Sequence, residues 1–152
     1  MYVTVLAIHN IVRWVIVILG VLAVLRAFIG WLGKQAWIPA DRKIGSFIAM
    51  ALDIQVLLGL ILYIFFSPFG LQAFRNSNFS SIMGQREISF FAIEHPLIMI
   101  LAVVFAHLGV SQPRKAEKPN KKHRLAAIWF GLALVLILLG MPWARPLFPA
   151  FG

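Results

Sequence analysis

The chain has no cysteine, which excludes disulfides, thiolate metal sites and covalently attached c-type haem. Acidic residues are scarce, at 5 Asp plus Glu in 152 residues, and only 12% of the chain is charged. No Gly-rich phosphate loop, HExxH or GxSxG motif is present, and no acidic pair suited to hydrolysis is found. Enzymes acting on soluble substrates therefore have little support here. A secretory signal peptide is not expected either. The N-terminus lacks a basic leading region, its apolar run is too long, and no convincing small-residue cleavage site follows.

What remains is apolar bulk. Hydrophobic residues make up 61% of the chain, more surface than a soluble domain of this size can hide, but a lipid bilayer solvates it. A span needs about 20 mostly apolar residues. Four segments meet that need, near residues 3–31, 44–66, 88–110 and 125–141. The fold class expected is an all-α membrane protein, a four-helix bundle forming one domain over 1–152. Ser67-Pro68-Phe69-Gly70 and Ser111-Gln112-Pro113 punctuate the ends of the second and third segments, and Pro142 follows the fourth. Several of Trp14, Trp31, Trp37, Trp129 and Trp143 fall near span ends, as an interfacial aromatic belt requires.

The net charge of +9 has a spatial pattern. Arg26, Lys34, Arg42 and Lys43 follow the first span, and Arg114, Lys115, Lys118, Lys121, Lys122 and Arg124 follow the third. The opposite side has Arg75, Arg86 and Arg145, offset by Glu87 and Glu94. The positive-inside rule puts the basic side in the cytoplasm and both termini outside. The basic segment 113–124 reads as a solvated cytoplasmic loop touching anionic lipid headgroups. An acidic docking partner is the other role open to it. The 67–87 segment reads as an outer loop with room for a short interfacial helix. With this much apolar surface the cations do not indicate nucleic acid. The partners expected are the bilayer itself and other membrane subunits or further copies of the chain.

Ionisable side chains within a bilayer are costly and default to functional candidates. Counting from the outer ends at a helical rise, His9 lies roughly 6–9 Å deep, Arg13 roughly 12–15 Å, and Glu94 and His95 roughly 9–11 Å. Asp53 falls near mid-membrane. His9 and Arg13 are four residues apart and share a face. Arg13 keeps its charge and needs an anion: Asp53, with Glu94 as the alternative, or an anionic group on a ligand. Gln55 points away from Asp53 and shares a face with Gly59. Pro96, after His95, removes an N–H and leaves the carbonyl four residues back without its helical donor. His9 and His95, at similar depth on different helices, can be axial ligands of a b-type haem across a bundle core, or can simply hydrogen-bond. Arg13 would then neutralise a propionate, and Glu94 or Gln55 would orient an imidazole. A quinone is the second cofactor this cluster suits. His107 is expected at the inner interface and His123 in the basic loop, with a second inner site from the pair as an alternative. His95 and His107, twelve residues apart, are about 18 Å apart along a helix and cannot share one iron.

The series His9-Asn10-x-x-Arg13-Trp14, Gln55-x-Leu57-x-Gly59-Leu60-Ile61-Leu62-Tyr63 with Ser67-Pro68, Glu94-His95-Pro96-Leu97-x-Met99 and Pro142-Trp143 resembles a family. Its members are small four-helix bacterial membrane proteins labelled cytochrome-b-like, best represented in Bacteroidetes-type bacteria. The resemblance covers nearly the whole chain. It implies residence in the bacterial cytoplasmic membrane, haem b, and an electron-transfer subunit more than a stand-alone enzyme. His9, Arg13, Gln55, Glu94 and His95 match the family pattern. Relatives carry a His two residues before the matched Gln, where this chain has Asp53. That departure leaves His9 and His95 as the pair for one haem. The rival expectation is a haem-free accessory subunit of a larger complex.

Overall fold

A computed structural model describes residues 1–143. Helix α1 spans Tyr2–Leu32. It stops at Gly33 and Lys34, the latter at φ 49°, the left-handed conformation that commonly ends helices. Helix α2 spans Pro39–Ile61 and continues as a π-helical turn, Leu62–Phe66. Pro39 starts it without loss, because the first amide of a helix has no partner in any case. Asp41 accepts from the Ile38 amide at 2.9 Å and closes the same end.

Three short helices follow, α3 (Leu71–Asn76), α4 (Phe79–Met83) and α5 (Arg86–Ser89). Helix α5 runs through a π-helical turn, Phe90–Glu94, into α6 (His95–Lys115). Helix α7 spans Pro119–Leu139. Four of the helical segments are long and apolar enough to cross a bilayer, and the fold is an all-α four-helix bundle, that of a multi-pass membrane protein.

Two boundaries differ from expectation. The basic segment 113–124 is mostly helix: α6 runs to Lys115, α7 starts at Pro119, and only Ala116, Glu117 and Lys118 connect them. Lysine is a good helix former, and Pro119 occupies a first-turn position where its missing N–H costs nothing. The 67–87 segment holds most of three short helices rather than one. Arg145 lies outside the described residues.

Helix α1 packs on α2 and α7, and α6 packs on the same two, so the four spans close a ring. The contacts are built from small side chains: Ala23 and Ala27 of α1, Ala102 and Ala106 of α6, Ala126, Ala127 and Ala133 of α7 are all buried. Large apolar residues such as Ile18, Leu25, Leu57, Ile100 and Val135 point outward. Lipid is as apolar as a core, so association relies on close backbone approach rather than on hiding leucines.

The basic end is locked by a polar cluster. Arg26 Nε meets Asp41 Oδ1 at 2.7 Å and its Nη2 meets Oδ2 at 3.2 Å. His123 was expected in a loop but is fully buried on α7. Its Nε2 lies 3.3 Å from the Ala36 carbonyl and 3.9 Å from Asp41 Oδ2, and its ring packs edge-on to Trp37 at 4.9 Å. Gly30 makes this possible, since a Cβ there would overlap the imidazole.

Candidate functional site

At the other end the bundle opens into a cavity of about 670 Å³ between α1, α2, α6 and the end of α7. That is within the ~300–1,000 Å³ typical of cofactor clefts. The lining is mostly aliphatic and aromatic. Its polar members include His9, Arg13, Gln55, Tyr63, Ser67 and His95. Four of the five expected site residues therefore converge on one space.

The local geometry follows from the sequence pattern. Gln55 is buried and donates from Nε2 to the His9 carbonyl at 3.0 Å, tying α2 to α1. Gly59, one turn further on, leaves the surface beside the His9 ring bare: a Cβ there would sit 3.4 Å from His9 Cε1. Pro96 leaves the Ala92 carbonyl without its i+4 amide, and the Tyr63 hydroxyl donates to that oxygen at 3.0 Å. The π-helical turn Phe90–Glu94 just before Pro96 accommodates the same local defect. The Arg13 guanidinium lies 5.8 Å from the centroid of the Trp14 ring.

The His9 and His95 rings face one another across the cavity, centroids 6.4 Å apart and planes inclined at 66°. His95 Nδ1 hydrogen-bonds the Gly140 carbonyl at 2.7 Å. A carbonyl only accepts, so Nδ1 carries the proton and Nε2 presents its lone pair. His9 Nδ1 and Gln55 Oε1 are buried with no hydrogen-bond partner among the described residues. Such orphans are rare in folded proteins and call for an explanation.

Two imidazoles this close, on different helices, can both reach a group placed between them. Among the described residues no group of three or more His, Cys, Asp or Glu could hold an ion. Two protein ligands suffice only for a metal that brings its other ligands with it, as iron in a porphyrin does. The residues present therefore fit haem better than a bare ion.

Four expectations are corrected. Asp53 does not face the cluster: its Oδ1 meets His107 Nε2 at 2.9 Å, with both side chains 52% exposed on the lipid-facing side of α2 and α6. Two residues along a helix turn a side chain by roughly 200°, which separates Asp53 from the inward Gln55. Glu94 is absent from the cavity lining and pairs with Arg86. The two carboxylates considered for Arg13 are thus engaged with His107 and Arg86. The His95 ring is oriented by neither Glu94 nor the Gln55 side chain but by the Gly140 carbonyl, at a helix end where chain oxygens lack helical partners. The His9 ring meets the main chain of Gln55, not its amide. His107 and His123 form no joint inner site, one being paired with Asp53 and the other packed against Trp37.

Sequence reasoning missed Gly140 and Tyr63. A main-chain acceptor leaves no signature in residue type. Tyr63 was visible only as a member of the motif series, with no role attached to it. A Cβ at Gly140 would lie 3.0 Å from Ile98 Cγ2 and clash with Met99, a constraint that only the packing reveals.

No family model matches the chain, and neither a curated protein nor a solved structure does so.

Proposed function

We propose that this chain is an integral membrane b-type haem protein that passes electrons, alone or as a subunit of a respiratory or photosynthetic complex. The single observation that carries the reading is the opposed His9–His95 pair, 6.4 Å between centroids, with His95 turned by the Gly140 carbonyl. A haem bound there supplies one-electron redox chemistry. The chain's own part is to hold and insulate it. His9 and His95 would hold its iron. Arg13 would sit beside a propionate. Gln55 fixes the α1 backbone at His9, Gly59 leaves space for a flat ring, and the aliphatic lining excludes water. The motif resemblance to the cytochrome-b-like family supports the same reading. The ten cations of one end support a bacterial cytoplasmic membrane location with that end inside and the histidine end outside.

The deciding experiment is a reduced-minus-oxidised spectrum of the purified protein, expressed with haem supplied. The expected result is an α band that His95→Ala removes while the protein remains folded. A folded wild-type protein with no α band sinks the reading and leaves the haem-free accessory subunit. A second reading, a quinone site, is favoured by one observation: hydroxyl, amide and guanidinium groups of Tyr63, Ser67, Gln55 and Arg13 border the same apolar cavity. Crosslinking of a photoreactive quinone analogue to α1 and α2 around Gly59 would support it, and labelling confined to the basic end would reject it.

A further inference from the structure

A second cavity, of about 490 Å³, opens at the basic end between α2, α6 and α7. Three cations line it, one from each helix: Arg42 in the first turn of α2, Arg114 in the last turn of α6, and Lys122 in the first turn of α7. None of the three forms an ion pair with another described residue. Arg114 Nη2 rests on Ser46 Oγ at 3.4 Å, which holds the guanidinium over α2. Asp41 also borders the space, but both its oxygens are engaged, by Arg26 and by the Ile38 amide. The positive charge is therefore uncompensated within the cavity.

Its inner wall is fixed by packing. The Phe130 ring fills the gap between α2 and α6, where a Cβ at Gly45 would lie 2.9 Å from Cζ and one at Gly109 2.8 Å from Cε1. The ring closes the membrane side and leaves the charged side open. One turn after Ser46, the exposed Met50 begins the apolar outer face of α2.

We propose that this cavity binds the phosphate of an anionic phospholipid headgroup, whose acyl chains run down the outer face of α2 past Met50. A basic pocket between spans, at headgroup depth, has the chemistry for such a ligand. A soluble phosphate satisfies the three cations equally but makes no use of the apolar face beneath them. The site is distinct from the basic connection as a whole, because Lys115, Lys118, Lys121 and Arg124 do not line it. The inference depends on the bilayer location and not on haem.

The test uses the full chain in phosphatidylcholine bilayers containing a minority of spin-labelled phosphatidylglycerol. Selectivity is read as the motionally restricted fraction relative to labelled phosphatidylcholine. The wild type should prefer the anionic lipid. Removing Arg42, Arg114 and Lys122 together (each →Gln) should lower that preference by about tenfold or more, given the energy of each cation near the surface. Removing Lys115, Lys118 and Arg124, an equal charge, should lower it by less than about threefold. If the cavity triple variant does not fold, Lys122→Gln alone should lower the preference about threefold. Equal losses from the two triples would overturn the proposal in favour of diffuse attraction. Displacement of the labelled lipid by inorganic phosphate would overturn it in favour of a soluble anion.

Discussion

The two ends of this bundle bury polar side chains under different conditions. At the basic end, Arg26 and Asp41 meet through two hydrogen bonds, and His123 is wedged between Trp37 and Gly30. At the other end, His9, Gln55 and His95 border a cavity of about 670 Å³. Each end has buried polar atoms without partners among the described residues: His123 Nδ1 at the first, His9 Nδ1 and Gln55 Oε1 at the second. Incomplete hydrogen bonding therefore does not by itself distinguish a site. Adjacent space does. The His123 ring presses on Gly30 with no room for a ligand, whereas the His9 ring faces bare glycine and a partner imidazole.

That contrast can be broken first at the cavity. Gly59→Phe should fill the space beside His9 and reduce haem incorporation by more than about tenfold, since overfilling a binding space costs roughly 1–3 kcal/mol or more. The pyridine haemochrome yield per protein reads the effect, and an unchanged yield would show that haem does not use this cavity. The basic end should respond in stability instead. Asp41→Ala removes the carboxylate from a half-buried ion pair with Arg26 and from the Ile38 amide that it caps, and should cost about 2 kcal/mol. Thermal or denaturant unfolding in detergent measures it, with haem content per folded molecule unchanged. A smaller effect is expected at the joint between the two π-helical turns. Tyr63→Phe removes the donor to the Ala92 carbonyl and should cost about 1 kcal/mol, with faster amide exchange around residues 90–97. Least of all, Arg86→Gln breaks an ion pair whose Arg side chain is 76% exposed. A shift under about 0.5 kcal/mol is expected. A large loss there would mean that Glu94 matters to the cavity after all.

Much of the site was legible before folding. The inward pairing of Gln55 with Gly59, the shared depth of His9 and His95, and the defect created by Pro96 all follow from helical periodicity and one missing amide. Asp53 was misassigned because its depth suited Arg13 while its azimuth did not. Depth can be counted from a span boundary, but azimuth depends on how α2 is rotated against α6. His123 was read as solvated because its neighbours in sequence are lysines. Its burial depends on Gly30, 93 positions earlier in the chain, which no local pattern connects to it.

The sequence by itself determined four apolar spans, the charge asymmetry between their two ends and the residue types available within the membrane. Those properties are local: a run of side chains either can or cannot be solvated by lipid. Only the tertiary structure decided which polar groups satisfy one another and which border space. Asp53 turned outward to His107, Glu94 turned to Arg86, and a main-chain oxygen of Gly140 came within 2.7 Å of His95. The physical reason is that helices in lipid are positioned by contacts between small residues far apart in the chain. Rotation of one helix by a fraction of a turn changes every polar partner without changing its hydropathy.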